Sequence, residues 1–219
     1  MEMVSLDQSH EVIAKVQTNC AWDAISSEQA RAAYADPIRL GREFTRLIQN
    51  GGRVSIMMTD GIIPPPGGRI QILSVPVDES KPWEDAVKAA GPNTGPDWEI
   101  WKVGKQYPPL PGFRPSLKQV VLANFGRAIE SSEEALVWGR EQKLVPSTPR
   151  VIFSVGEHYP ELNQHLEMES MAVVSLKQCS CGGVQCAPCV WFLGSKREAS
   201  LSRFADRWNE NDWFAFDRY

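Results

Sequence analysis

The sequence predicts an α+β fold with a mixed, mainly antiparallel sheet, flanking helices and a C-terminal cysteine-rich β-hairpin. Three observations carry this. Short runs rich in β-branched or aromatic residues, such as "RIQILSV" and "MAVVSL", are interleaved with segments of helical periodicity. The two kinds of segment do not alternate in the regular manner of a doubly wound parallel sheet. The stretch "CSCGGVQCAPC", residues 179–189, sets a Gly182-Gly183 turn between two cysteine-bearing arms.

In chain order, residues 26–52 read as a helix. Ser26 with Gln29 makes a capping box, and Leu40, Phe44, Leu47 and Ile48 share one face. Pro37 divides it, and Gly51 and Gly52 end it. Strands follow at 53–58 and 69–75, joined by the loop "TDGIIPPPGG", and then a short helix at 82–90 that opens on Pro82. Alternation over "DWEIWKV" predicts a strand at 97–103.

Residues 104–116, "GKQYPPLPGFRPS", hold four prolines and two glycines, a composition that neither a helix nor a central strand accepts. The stretch divides the chain into an N-terminal α/β unit, 1–106, and a C-terminal α+β unit, 114–219. The other reading is an ordered loop across one continuous domain. Beyond it, helices are expected at 116–130 and 131–145, the second capped by Ser131 and Glu134. Strands are expected at 150–155, 171–176, 189–194 and 212–216, with a last helix at 195–208.

Charge and composition narrow the function classes. The chain has 219 residues and a formal net charge of −4, which gives the whole molecule no general attraction for nucleic acid or anionic lipid. The opening "MEMVSLDQSHEVIAKV" lacks a basic start and a long apolar run, so no secretory signal and no membrane association are expected. The expected setting is cytoplasmic, where clustered thiols stay reduced or bind metal.

Four of the five cysteines fall in residues 179–189. In a hairpin turning at Gly182-Gly183, Cys181 faces Val184 and Cys179 faces Cys186. Side chains alternate between faces, so Cys179, Cys181 and Cys186 share one face and Cys189 takes the other. Pro188 cannot donate a ladder hydrogen bond, and a bulge at Ala187-Pro188 would turn Cys189 toward the rest. The pairs C-x-C and C-x-x-C would then offer Cys179, Cys181, Cys186 and Cys189 as a closed tetrahedral set for a structural zinc. The spacing between the pairs is shorter than in zinc ribbons. In a second reading "CAPC", residues 186–189, resembles the C-x-P-C active site of thioredoxin-like proteins, which implies thiol-redox chemistry. The strand-like "VWFLG" that follows replaces the helix such a site begins. In a third, the cysteines stay reduced and pack as small apolar residues, as Cys20 is expected to do.

Other candidates have simpler explanations. His158, Glu161 and His165 fall at i, i+3 and i+7, but Pro160 leaves His158 outside a shared helix, and a solvated surface accounts for them. On the expected last helix, Lys196, Arg203 and Arg207 lie opposite the apolar Leu201, Phe204, Ala205 and Trp208, a low-ranking nucleic-acid stripe. Eight tryptophans supply core anchors or partner contacts. Motifs for a phosphate loop, a dinucleotide turn, a nucleophile elbow and a metalloprotease helix are absent from the sequence, and the reading leans away from an enzyme. The expected function is macromolecular recognition, with a protein partner ahead of nucleic acid.

Overall fold

Apolar runs buried on both sides mark the centre of the sheet. The computed structural model describes residues 61–112 and 114–218. In chain order these form β1 (Arg69–Val77), α1 (Trp83–Ala90), a 3-10 helix (Glu99–Gln106), β2 (Ser116–Asn124), α2 (Ser132–Glu141) and the short β3 (Val145–Pro146). Next come α3 (Pro149–His158), α4 (Leu162–His165), β4 (Ser170–Ser175), β5 (Cys179–Cys181), β6 (Val184–Leu193), β7 (Lys196–Arg203) and β8 (Trp213–Asp217).

These strands make one eight-stranded sheet that runs β1-β2-β8-β4-β6. Beside β6, β5 continues the line of β4, and β7 covers the opposite edge, since Cys186 pairs with both Cys179 and Arg203. Only β4 and β8 run parallel, so the class is α+β with a mostly antiparallel sheet. The strands on either side of the proline-rich 104–116 segment, β1 and β2, pair along their full length from Arg69↔Asn124 to Val77↔Ser116.

A core lies on each face. The first holds Val75, Val77, Val120, Leu122, Val190, Phe192 and Trp213 against α1, α3 and the 3-10 helix. The second holds Ile72, Val121, Ala123, Val174, Phe214 and Phe216 against Trp138 of α2 and Trp208. Neighbouring residues of β2 and β8 thus enter opposite cores, β2 being buried from Val120 to Asn124 and β8 from Trp213 to Phe216.

The structure makes four corrections to the sequence reading, and burial explains the first two. The 116–130 segment begins as β2, not a helix, because an unbroken apolar run carries no period to separate the two. The 150–155 strand is instead part of α3, whose residues 149–156 are all buried, so no polar face reveals a helical repeat. Thr148 caps it, its side chain accepting from the Val151 amide, and Pro149 occupies the first turn. The 97–103 strand is a 3-10 helix that buries Ile100 and Val103, three residues apart. The 195–208 helix is the strand β7, turned in at Gly194 with φ of 60°.

The expected strands at 69–75, 171–176, 189–194 and 212–216 form within β1, β4, β6 and β8, and the helices at 82–90 and 131–145 as α1 and α2. Ser131 precedes α2 but makes no side-chain cap bond, and Glu134 pairs with Arg127 instead. The helix at 26–52, the strand at 53–58 and Cys20 lie outside the described residues. No helix among the described residues is long and apolar enough to cross a membrane.

Candidate functional site

The register of β5 and β6 is Cys179↔Cys186, Ser180↔Gln185 and Cys181↔Val184, with Gly182 and Gly183 both at positive φ in the turn between them. Cys179, Cys181 and Cys186 belong to the first core, and Cys189 to the second. β6 runs straight through Pro188, pairing with β7 without interruption from Cys186↔Arg203 to Leu193↔Lys196. The irregularity falls on the other strand. Val174 pairs with Cys189 and Cys179 with Cys186, so Ser175, Leu176, Lys177 and Gln178 lie opposite Ala187 and Pro188 alone. Cys189 therefore never turns toward the other three.

This corrects the zinc reading. Among the described residues no group of three or more His, Cys, Asp or Glu side chains could hold a metal ion, so the structural-zinc and metal-binding expectation for Cys179, Cys181, Cys186 and Cys189 is withdrawn. All four are free thiols. The CAPC pair is separated by the sheet, with Cys186 on one face and Cys189 on the other.

The surroundings keep these thiols protonated. Burial pushes Cys179 up to about 11, against a hydrogen bond with Tyr107 that pulls the other way. Burial pushes Cys189 up to about 12, and its Sγ lies 3.5 Å from the Ser200 carbonyl. Cys181 and Cys186 are raised as well, by burial first and then by the nearby Glu99 carboxylate. A reactive cysteine needs the opposite surroundings, an electropositive site that favours thiolate. The arrangement matches small apolar packing groups.

What the hairpin does hold is the base of the proline-rich segment. The Gln106 side chain brackets the exposed edge of β5, donating from Nε2 to the Ser180 carbonyl at 2.7 Å and accepting from the Ser180 amide at 2.8 Å. Tyr107 donates to the Lys177 carbonyl at 2.6 Å, and its ring stacks on Trp83 with centroids 5.2 Å apart. Burial drives the Tyr107 hydroxyl strongly upward, so it remains a donor.

Arg150 completes the anchor from below. Only 4% exposed, it donates from Nε to the Lys81 carbonyl at 2.9 Å and from Nη1 to the Tyr107 carbonyl at 2.8 Å. Its guanidinium also lies 5.8 Å from the Trp83 ring centroid. Glu79, 3% exposed, accepts from Thr148 Oγ1 at 2.8 Å and from Lys118 Nζ at 3.1 Å, while its main-chain carbonyl accepts from the Leu110 amide at 3.0 Å. The Arg150 side chain of α3, and main-chain groups of the β1–α1 loop and of the hairpin region, thus hold residues 106–110.

Beyond that base the chain is presented to solvent. Pro108, Pro109, Pro111, Arg114 and Pro115 are exposed, as are Leu110 at 51% and Leu117 at 62%. Pro111 precedes Gly112, whose φ of 72° fits the third position of a type II turn. Pro76, also exposed, pairs across the sheet with Leu117.

The remaining candidates do not gather. Lys196 and Arg203 occupy opposite ends of β7, roughly 23 Å apart along the strand and on opposite faces. Arg207 lies past the strand, 3.8 Å from Glu130. His158 ends α3, Glu161 precedes α4 and His165 ends α4, without a metal-holding cluster. Trp83, Trp138, Trp208 and Trp213 are core anchors, and Trp98 is 37% exposed. Sequence reasoning passed over Tyr107, Arg150 and Glu79, whose side chains find partners 39 to 70 residues away. The only local signal was the proline density they support. Comparison with protein-family models, with curated proteins and with solved structures finds no match to this chain.

Proposed function

We propose that the protein is a binding protein that recognises a protein partner through segment 108–117. The carrying observation is the contrast within that segment. Its base is fixed by Arg150, Glu79, Gln106 and Tyr107, while its prolines and Leu110 are exposed. A preformed proline-rich ligand loses little conformational entropy on docking, which favours affinity. A groove lined by aromatic side chains suits prolyl rings, and an acidic rim suits Arg114. Net charge favours a protein over nucleic acid. Free buried thiols suit a reducing cytoplasmic setting.

A photo-cross-linking residue placed at Leu110, with another at the exposed Val137 of α2 as control, tests this in the source cells. The expected result is a discrete protein adduct from position 110 that disappears when Pro109 is changed to Ser and is absent from position 137. Adducts that are the same from both positions, or none from 110, would refute the reading.

A further inference from the structure

The opposite end of the sheet carries a second feature, at the start of β1 and β8 and the end of β2. A cleft of about 340 Å³ is lined there by Ser170, Trp191, Asn209, Glu210 and Asn211. An adjoining cleft of about 280 Å³ is lined by Gly67, Gly68 and Arg69 and shares Glu210 and Asn211. Both volumes are near the lower end of small-molecule sites, about 300–1,000 Å³.

The loop between them is built rigidly. The buried Asp212 uses both carboxylate oxygens internally, Oδ1 accepting from the Ala172 amide at 3.1 Å and Oδ2 from the Asn209 amide at 2.8 Å. Asn124 Nδ2 donates to the carbonyls of Glu210 and Asp212 at 2.6 and 3.0 Å, and its Oδ1 accepts from Gly126. Ile129 and Trp208 exchange main-chain hydrogen bonds at the loop's other flank. Trp191 is half-buried and packs against the second core.

With Asp212 and Asn124 spent on the loop, the larger cleft offers two amides, one carboxylate, one hydroxyl and an aromatic wall. The amides and hydroxyl both donate and accept, which matches ligand hydroxyls that do the same. No cationic side chain lines this cleft, so it lacks the chemistry that holds phosphate or another anion. We propose that it binds a neutral saccharide, one ring packed on Trp191 and bonded by Asn209, Glu210 and Asn211. A second ring continues over Asn211 toward Gly67 and Gly68.

The full chain, labelled with a fluorophore, is applied to an array of neutral mono- and oligosaccharides, and hits are titrated while tryptophan fluorescence is followed. Wild type is expected to bind at least one neutral saccharide of two or more units. Trp191→Ala and Asn211→Ala should each weaken that binding roughly tenfold or more. Asn211 is a loop residue outside both cores, so its variant keeps the test valid if Trp191→Ala fails to fold. Absence of any neutral saccharide bound by wild type, or unchanged binding by Asn211→Ala, would overturn the proposal. So would fluorescence quenching by choline or arginine without any by saccharide, which would make the cleft a cation site.

Discussion

Cys186 and Cys189, three residues apart in β6, project to opposite faces of the sheet and enter different cores. Strand parity alone produces this, and the proline between them does not interrupt it. The irregularity that would have gathered the thiols was absorbed across the ladder by residues 175–178. Two extra residues on one strand leave every side chain on its original face, whereas one would have exchanged them.

Metal removal is therefore expected to leave the fold unchanged. The purified protein is expected to show the same Tm with and without a strong chelator. Native labelling with a thiol reagent, read by mass spectrometry, should modify the partly exposed Cys181 before Cys179 and Cys186, with Cys189 last. A chelator-dependent drop in Tm would contradict this.

Alkaline pH weakens the fold through the same groups. The folded values of Cys179 and Cys189, about 11 and about 12, lie above the ordinary thiol value of 9.0. Their stabilising contribution is complete below pH 9 and is lost as pH rises through the folded values, because the unfolded chain releases those protons first. Tyr107 and Tyr159, also raised by burial, act in the same direction. Urea midpoints measured from pH 8 to 11 should fall, and Cys189→Ala should flatten the slope.

Arg150 tests the anchoring of the proline segment. Arg150→Lys keeps the charge but loses the fork that reaches the Lys81 and Tyr107 carbonyls together. Leaving one buried carbonyl unpaired costs about 1–3 kcal/mol. Limited proteolysis should cut within 108–117 faster in the variant, and equal rates would show that Arg150 does not hold the segment.

Asp212→Asn is expected to destabilise the protein by about 1–3 kcal/mol. Both carboxylate oxygens face main-chain donors, and an asparagine can present an acceptor to only one of them. Thermal unfolding of the variant measures the loss. The carboxyl is itself raised by burial, so a stability equal to wild type would mean the site does not need two acceptors.

Legibility followed local sequence pattern. Strands β1, β4, β6 and β8 and helices α1 and α2 could be read from alternation or capping, and the hairpin register from Gly182-Gly183. β2 and α3 were exchanged for one another's class because residues 120–124 and 149–156 are buried without a polar face to show the repeat. The periodicity of Leu201, Phe204 and Trp208 imitated a helix, though Leu201 lies within β7 and Trp208 pairs with Ile129. The proline density of 104–116 was visible, but the residues that fix it act from distant parts of the chain. Arg150 in particular was hidden inside a run that looked like a strand.

The partner cross-linked through Leu110 allows the most direct test of the central claim. Its affinity is to be measured by calorimetry for wild type and Leu110→Asp, an exposed substitution that leaves both cores intact. The expected result is a loss of roughly tenfold or more in Kd with no change in Tm. Equal Kd values for the two proteins would contradict the account.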